Sequence, residues 1–537
     1  MNRVNLGAYG YLKILECVSE VSFAMVWCVE SRDLVQELRE AIQFARSRVY
    51  QVGQPTPLER FPLGDTAAEV WVKREDLGPI KAFKWRGAFN AMACLSPEEL
   101  STGVVTASAG NHAQGIALAA KHLGAKAHIY MPTPTPAVKQ EAVLAHGGGC
   151  VSVKLVGDSF AESQQAAFTH AKETGAIFVP PYDSLQVMAG QGTIADEIFA
   201  SGVGPFDYVY IAIGGGGMAA AVGTLLKSVW PGVKIIGVEG TGQASMMEAF
   251  RKGEPAPLDY VDVFCDGTAV TQVGSLTYEI CRTQVDEIVT VTNEEVSSAI
   301  QRHWNGLRTI PEPSGAMSLA GYLKQAREGG VPDGAKVLTI LCGANMDFAK
   351  LADISRQAEM HPNRYQSWKF AIPEEKGSLV ALLTELPNQI NITDLQYGRT
   401  SGSSQAPVLT LDVPSESQED FDHWLASYQS SAVEVTHRAT TRYRTIPFTL
   451  ALMKAPIFVE VEFPERAGAL LGFMKNLSKE ASLCYFNYTY SGERVGRALL
   501  GLDFCSEKAL AEHGDTLFSQ EGETVRSVKE VSIEDLA

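Results

Sequence analysis

The chain has 537 residues, 45% of them hydrophobic and 20% charged, which is ordinary globular composition and suggests roughly three to four domain-sized units. Its 62 acidic residues outnumber 45 basic ones, and a net charge of -17 argues against a nucleic-acid or anionic-membrane surface and for a small-molecule enzyme or binder. Nine cysteines without a CxxC pair read as free thiols of a reducing compartment, so a cytoplasmic protein is expected, with organelle import left open.

In chain order, "YGYLKILECVSEVSFAMVWCV" has the look of a signal core, but Lys13, Glu16 and Glu20 interrupt it. Residues 1–31 are read as an uninformative N-terminal extension. From residue 32 to about 355 helical patterns alternate with short β-branched runs: "VVTAS" at 104, "HIYMP" at 128, "CVSVKLV" at 150, "IFVPP" at 177, "YVYIAI" at 208, "KIIGVEG" at 234 and "KVLTILCG" at 336. Apolar strands alternating with helices predict a largely parallel sheet covered on both faces, an α/β region. The apolar run at 208–226 is nominally long enough to span a bilayer, but four glycines at its centre break it, and no membrane segment is expected.

Four stretches of this region carry chemistry. In "GPIKAFKWRGAFNAM", residues 78–92, Lys84 is bracketed by Phe83 and Trp85. One reading is an amphipathic helix with Phe83, Ala88, Phe89 and Met92 inward and Lys81, Lys84 and Arg86 in water. The other is a lysine among apolar neighbours, its charge disfavoured, able to act as a Schiff-base nucleophile. In "TASAGNHAQG", residues 106–115, a strand ends in a small-residue turn that starts a helix, leaving the backbone N–H groups of Ser108 to Asn111 for an anion. In "IAIGGGGMAAA", residues 211–221, the backbone can fold closely around a phosphate. The stretch lacks the Lys-Ser/Thr of a P-loop, and its glycines fit a dinucleotide fingerprint poorly. "ILCGANMDF", residues 340–348, places Cys342 at the end of a late strand, either as a small core residue or as a ligand.

Beyond residue 359 an internal repeat appears. "FAIPEEKGSLVALLTELPNQINITDLQY" at 370–397 aligns without gaps to "VEFPERAGALLGFMKNLSKEASLCYFNY" at 461–488, an offset of 91 (468 − 377). Each copy reads as strand, Pro-Glu-x-x-Gly turn, helix and strand, part of a ferredoxin-like unit, and the pair forms a candidate regulatory module.

Taken in order, "KREDLGPIKAFKWRGA", "TASAGNHAQG", "AGQGTIADEI", "GGGGM", "PEPSGAMSLAG" and "LCGANMDF" resemble the fold type II pyridoxal-phosphate enzymes, specifically the threonine dehydratases, and the repeats resemble the ACT-like regulatory domains of that family's biosynthetic branch. The resemblance implies a catalytic domain at 32–355 and two α+β subdomains at 367–440 and 456–530. It implies that Lys84 holds pyridoxal 5'-phosphate covalently with Phe83 against the ring, and that Asn111 meets the ring's 3'-oxygen. Gly214, Gly215, Gly216, Gly217 and Met218 would cradle the phosphate, Cys342 would face the pyridine nitrogen, and Ser108 and Gly110 would receive the substrate carboxylate. The implied activity is β-elimination on L-threonine to give 2-oxobutanoate and ammonia for isoleucine biosynthesis, with isoleucine and valine as effectors in a dimer or tetramer. A serine dehydratase or serine racemase type, and a catalytically silent amino-acid sensor, are the alternatives. Two departures stand out: Ala82 where many relatives have Ser, and Gln243 and Ser245 after Glu239 where a second acid would be wanted, so no metal is expected. Lys81 is read as a solvated charge and His112 as a helix-start packing residue. A chain ending near Leu351 is expected to stay active yet insensitive to effectors.

Overall fold

The computed structural model describes residues 31–359 except 65–66, and beyond them residues 365–373, 378–396, 399–400, 403–404, 406–428, 430–436, 448–464, 481–488, 495–518 and 525–536. The extension expected at 1–31 therefore lies almost wholly outside the described residues, which open with helix α1 (Ser31–Val49).

Up to residue 359 the strands are β1 (Leu58–Arg60), β2 (Glu69–Arg74), β3 (Val104–Ala107), β4 (Ala127–Met131), β5 (Val151–Leu155), β6 (Ile177–Phe178), β7 (Tyr208–Ala212), β8 (Lys234–Gly240), β9 (Glu287–Val291) and β10 (Lys336–Leu341). All seven runs expected to be strands are strands. They form two sheets: β1-β2-β10-β7-β8-β9, parallel except for β1, and β5-β4-β3-β6, parallel throughout. The smaller sheet is inserted in the chain between β2 and β7. Strands β3, β7, β8 and β10 are buried almost end to end because helices cover both faces, which is why they read as unbroken apolar runs.

Helix α2 (Trp85–Ala93) packs against both α3 (Asn111–Leu123) and α4 (Leu185–Ala200). Helix α5 (Gly217–Val229) lies against α4, and α6 (Pro313–Arg327) covers β7 and β10. The apolar run at 208–226 is thus β7, a glycine turn and α5, and no helix among the described residues is long and apolar enough to cross a membrane.

The chain then continues into β11 (Tyr365–Phe370), β12 (Asn391–Gln396), a short ladder of β13 (Arg399–Thr400) with β14 (Ser403–Ser404), β15 (Val408–Asp412) and β16 (Ala432–Glu434). After these come β17 (Ala455–Pro464), β18 (Ala481–Tyr488), β19 (Val495–Phe504) and β20 (Ser527–Val531). They make two four-stranded antiparallel sheets, β12-β15-β11-β16 and β18-β19-β17-β20. Within each, the order is second, third, first, fourth, the order of a ferredoxin-like unit. The repeat extends to an irregularity: the register shifts between Ile392 and Asp394 in one sheet and between Leu483 and Tyr485 in the other, again 91 residues apart (483 − 392). Residues 374–377 and 465–468, which hold the Glu-x-x-Gly part of both turns, lie outside the described residues.

The α/β unit runs on past residue 351 and meets the last sheet at residues 260–262. The helix Leu351–Glu359 packs against the helix Asn293–Leu307 and buries Ile354 and Ala358, so a chain ended at Leu351 would strip a side of the α/β unit. Residues 260–262 meet the last sheet: the Tyr260 hydroxyl donates to Glu462 at 3.1 Å, Arg497 lies 3.6 Å from Asp262 and 2.9 Å from Glu462, and Arg526 donates to the Val261 carbonyl.

Candidate active site

Lys84 stands just before the first turn of α2, where the chain arrives from a short crossing with the end of β10. There Phe83 N–H donates to Cys342 O at 3.0 Å, Ala344 N–H donates to Lys81 O at 2.9 Å, and Ala82 bridges Gly343. This crossing places Lys84 and Cys342 at one cavity, whose other walls are Phe83, Asn111, Tyr182, Gln191, Gly214 to Met218, Thr268, Glu312 and Ser314. Ser108 and Gly110 do not line it. Lys81 is exposed, on a left-handed backbone (φ 58°), outside this group of residues.

The Lys84 amine donates to Pro181 O at 3.0 Å and lies 5.6 Å from the centre of the Phe83 ring. Burial lowers its pKa to about 8, against the opposing pull of Cys342 and Glu312. Arg86, two residues on, is fully buried rather than facing water as the amphipathic reading had it. Its guanidinium reaches Glu75 at 2.8 Å and Glu197 at 2.5 Å, while Lys73 reaches Glu197 at 2.5 Å and Tyr50 donates to Glu197 at 2.7 Å. Two buried cations matched by two carboxylates pin the start of α2 and with it the base of Lys84. Burial would push the Glu75 carboxyl up, but Arg86 and Lys73 outweigh it and hold it below the usual carboxylate range.

The glycine turn opens α5 against this lysine. Gly216 sits at φ 91°, a left-handed conformation that favours glycine. A Cβ on Gly215 would stand 2.2 Å from the Tyr182 ring, and the Gly215 carbonyl is held by Thr277 Oγ1 at 2.6 Å. The four bare Cα atoms leave their side of the cavity open to a phosphate-sized anion at the positive end of α5.

The turn before α3 is less free than expected: Ser108 N–H donates to Tyr130 O at 3.0 Å and Gly110 N–H to Ser108 Oγ at 3.3 Å, so two of the four amides are already engaged. Asn111 does reach the cavity, and its Nδ2 donates to Glu312 at 2.7 Å. His112 is buried with Nε2 on Val179 O at 3.1 Å, and burial followed by the nearby Lys84 charge lowers its pKa to about 3, which fits a neutral packing residue. The Cys342 thiol donates to Ser314 O at 3.3 Å, and burial, then Glu312, pushes its pKa far up, so a neutral thiol faces the cavity. The Glu239 carboxylate accepts from Met246 and Met247 N–H, each at 2.8 Å.

Sequence reasoning passed over Glu312, Tyr182, Thr268 and Ser314. Glu312 and Ser314 lie inside the quoted "PEPSGAMSLAG", where an acid directly before a proline-led helix was the available signal. Burial, then Asp266, raises the Glu312 pKa to about 7.

Residues 49–343 match the family of pyridoxal-phosphate dependent enzymes, and residues 451–530 match the C-terminal regulatory domain of threonine dehydratase. The chain is 37% identical over 464 residues, 85% of its length, to the L-threonine dehydratase biosynthetic IlvA of Haemophilus influenzae, covering 88% of that protein. Among solved structures, the processed form of threonine deaminase isoform 2 from Solanum lycopersicum matches at TM-score 0.58 and 41% identity, over 60% of this chain and 88% of that one. Maize serine racemase matches at TM-score 0.55 and 29% identity, over 60% of this chain and 98% of that one.

The cavity fits the group that this family carries. It offers a lysine amine of lowered pKa, a side-chain-free glycine cradle at a helix N-terminus and an uncharged thiol opposite, all in one enclosure. With a catalytic unit of this kind followed by that regulatory domain, the chain belongs to the biosynthetic threonine dehydratase family, pyridoxal-phosphate-dependent lyases of fold type II.

Proposed function

We propose that the protein converts L-threonine to 2-oxobutanoate and ammonia with Lys84 as the cofactor-holding lysine, and that the two C-terminal sheets carry feedback control by isoleucine, relieved by valine. The observation that carries the reading is the meeting of Lys84, Asn111, the Gly214–Gly217 turn and Cys342 around one cavity, from segments as far apart in the chain as residues 83 and 342.

Bound pyridoxal phosphate supplies an electron sink for the charge left on the substrate when its Cα proton departs. Gly214 to Gly217 and Met218 would hold its phosphate, and Asn111 and Phe83 its ring. Lys84, with a pKa of about 8, is poised to take a proton near neutral pH and to give it back. Cys342 presents a thiol that stays protonated; facing the ring nitrogen, it would place no fixed negative charge there, which would favour prompt loss of the β-hydroxyl over a long-lived charge. Net loss of water, then its return in hydrolysis, leaves the 2-oxo acid and ammonia. Ser108 and Gly110 remain our choice for the substrate carboxylate, through the turn they share with Asn111.

Serine racemase shares the catalytic fold, but the regulatory domain at 451–530 favours the biosynthetic dehydratase. We place the enzyme in the cytoplasm or an organelle, as a homo-oligomer. Turnover of L-threonine and L-serine, each with isoleucine or valine added, tests the reading. A chain ended after Glu359 should keep turnover and lose the isoleucine response. No 2-oxo acid from threonine would end the dehydratase assignment, and no isoleucine response in the full chain would end the regulatory one.

A further inference from the structure

Among the described residues, Glu312 is the one acid and Lys84 the one lysine that line the cavity. Its carboxyl is buried, with Gly343 beside it: a Cβ there would come within 2.2 Å of Oε1. The hydrogen bonds around it have a fixed direction. The carbonyl of Ile80 can only accept, so the 2.6 Å contact from Asn345 identifies the amide nitrogen of that side chain. The same nitrogen lies 2.8 Å from Asn111, which must therefore present its oxygen there. The Asn111 nitrogen is then left for Glu312, at 2.7 Å. One of its two hydrogens goes to the carboxyl and the other remains for a group in the cavity.

We propose that Glu312 is a positioning residue for the lyase reaction, which turns the Asn111 amide so that a hydrogen faces the cofactor and which sets the charge opposite Lys84. A carboxyl does this in both protonation states, since either leaves an oxygen to accept from Asn111, while only the ionised state adds a negative charge to the cavity. The charged groups around it are Lys84, Asp266 and Lys139, the last two paired with each other; burial and then Asp266 raise its pKa to about 7 against Lys139 and the Asn111 hydrogen bond, so its charge would change near neutral pH while the hydrogen bond persists. The inference rests on the cavity being the pyridoxal-phosphate site.

The test compares wild type, Glu312→Gln and Glu312→Ala in two measurements: pyridoxal phosphate uptake by the cofactor-stripped protein, followed by fluorescence, and the pH profile of turnover. Gln keeps an acceptor oxygen and removes the charge, whereas Ala removes both. We expect Ala to weaken cofactor binding about tenfold and Gln to hold it within about twofold of wild type. The wild-type profile should show a limb centred near pH 7 that Gln abolishes. Gln binding as weakly as Ala, or Gln retaining the limb, overturns the proposal. Should Ala fail to fold, Gln decides: cofactor binding more than about twofold weaker than wild type, or a limb near pH 7 that persists in Gln or is absent from wild type, overturns the proposal. Wild-type protein that takes up no cofactor overturns the site assignment and this inference together.

Discussion

The Tyr260 hydroxyl donates to the Glu462 carboxylate at 3.1 Å, joining a loop of the catalytic unit to the first strand of the last sheet. The same loop runs on to Asp266, paired with Lys139, and to Gly267 and Thr268 in the cavity wall. A change in the sheet therefore has a short covalent route to the site. Tyr260→Phe should leave turnover without effector within about twofold of wild type and raise the half-inhibiting isoleucine concentration by about twofold to thirtyfold, as expected for a residue modulating coupling between sites. An isoleucine titration of both proteins reads this, and superimposed curves would exclude the contact from the coupling.

If Lys84 holds the cofactor as proposed, its amine would have to be neutral to bond covalently to it. Because its pKa is lowered from the usual lysine value to about 8, the reactive neutral form is already abundant above pH 8. Cofactor uptake by the stripped enzyme should accelerate as pH rises through about 8 and then level off. A rate still climbing at pH 10 would mean an ordinary, solvated lysine. Lys81→Ala should behave as wild type in the same assay, and Lys84→Ala should lose covalent uptake altogether.

Gly215→Ala would drive a methyl group into the Tyr182 ring, 2.2 Å away. We expect cofactor affinity to fall by about 1–3 kcal/mol, the usual range for forcing an extra carbon into a packed site. Adding Tyr182→Ala should recover part of that loss, because the two changes share one space. Equilibrium dialysis of wild type, Gly215→Ala, Tyr182→Ala and the double variant would show whether it does.

Glu75 is ionised well below the usual carboxylate range in the folded protein, so its contribution to stability is present above about pH 4 and is lost as pH falls through the folded value. Glu75→Gln should cost about 3–5 kcal/mol at pH 7, since it leaves Arg86 and Lys73 with Glu197 alone. The gap between variant and wild type should narrow in acid. Urea unfolding at pH 7 and at pH 3.5 measures both values, and a gap that does not change with pH would contradict the assigned charge.

Seven strands were legible because their apolar, β-branched runs announce burial on two faces. Strand β2 escaped because "EVWVKR" ends in two charges, and Lys73 and Arg74 are nonetheless buried. Arg86 misled for the same reason. A charge on a helix reads as solvent-facing unless its partners are known, and those of Arg86 lie 11 and 111 residues away. Lys84 and the glycines were visible as local motifs. Glu312 was not, since its meaning depends on Asn111, 201 residues earlier. Local spacing reveals groups that act through their own backbone turn, and conceals those whose chemistry is made by a distant neighbour.

The pairing of β2 with β10 also bears on how the enzyme is made. Strand β2 leaves the ribosome early, but the six-stranded sheet cannot close until its central partner at 336–341 follows. Lys84 and Cys342 are 258 residues apart (342 − 84), which at ordinary translation speeds separates their synthesis by about 10–50 s. During that interval the lysine exists without its cavity. Cofactor loading at the proposed site would thus be a late event in the life of each chain, and until β10 arrives β2 and β7 each lack the neighbour that lies between them.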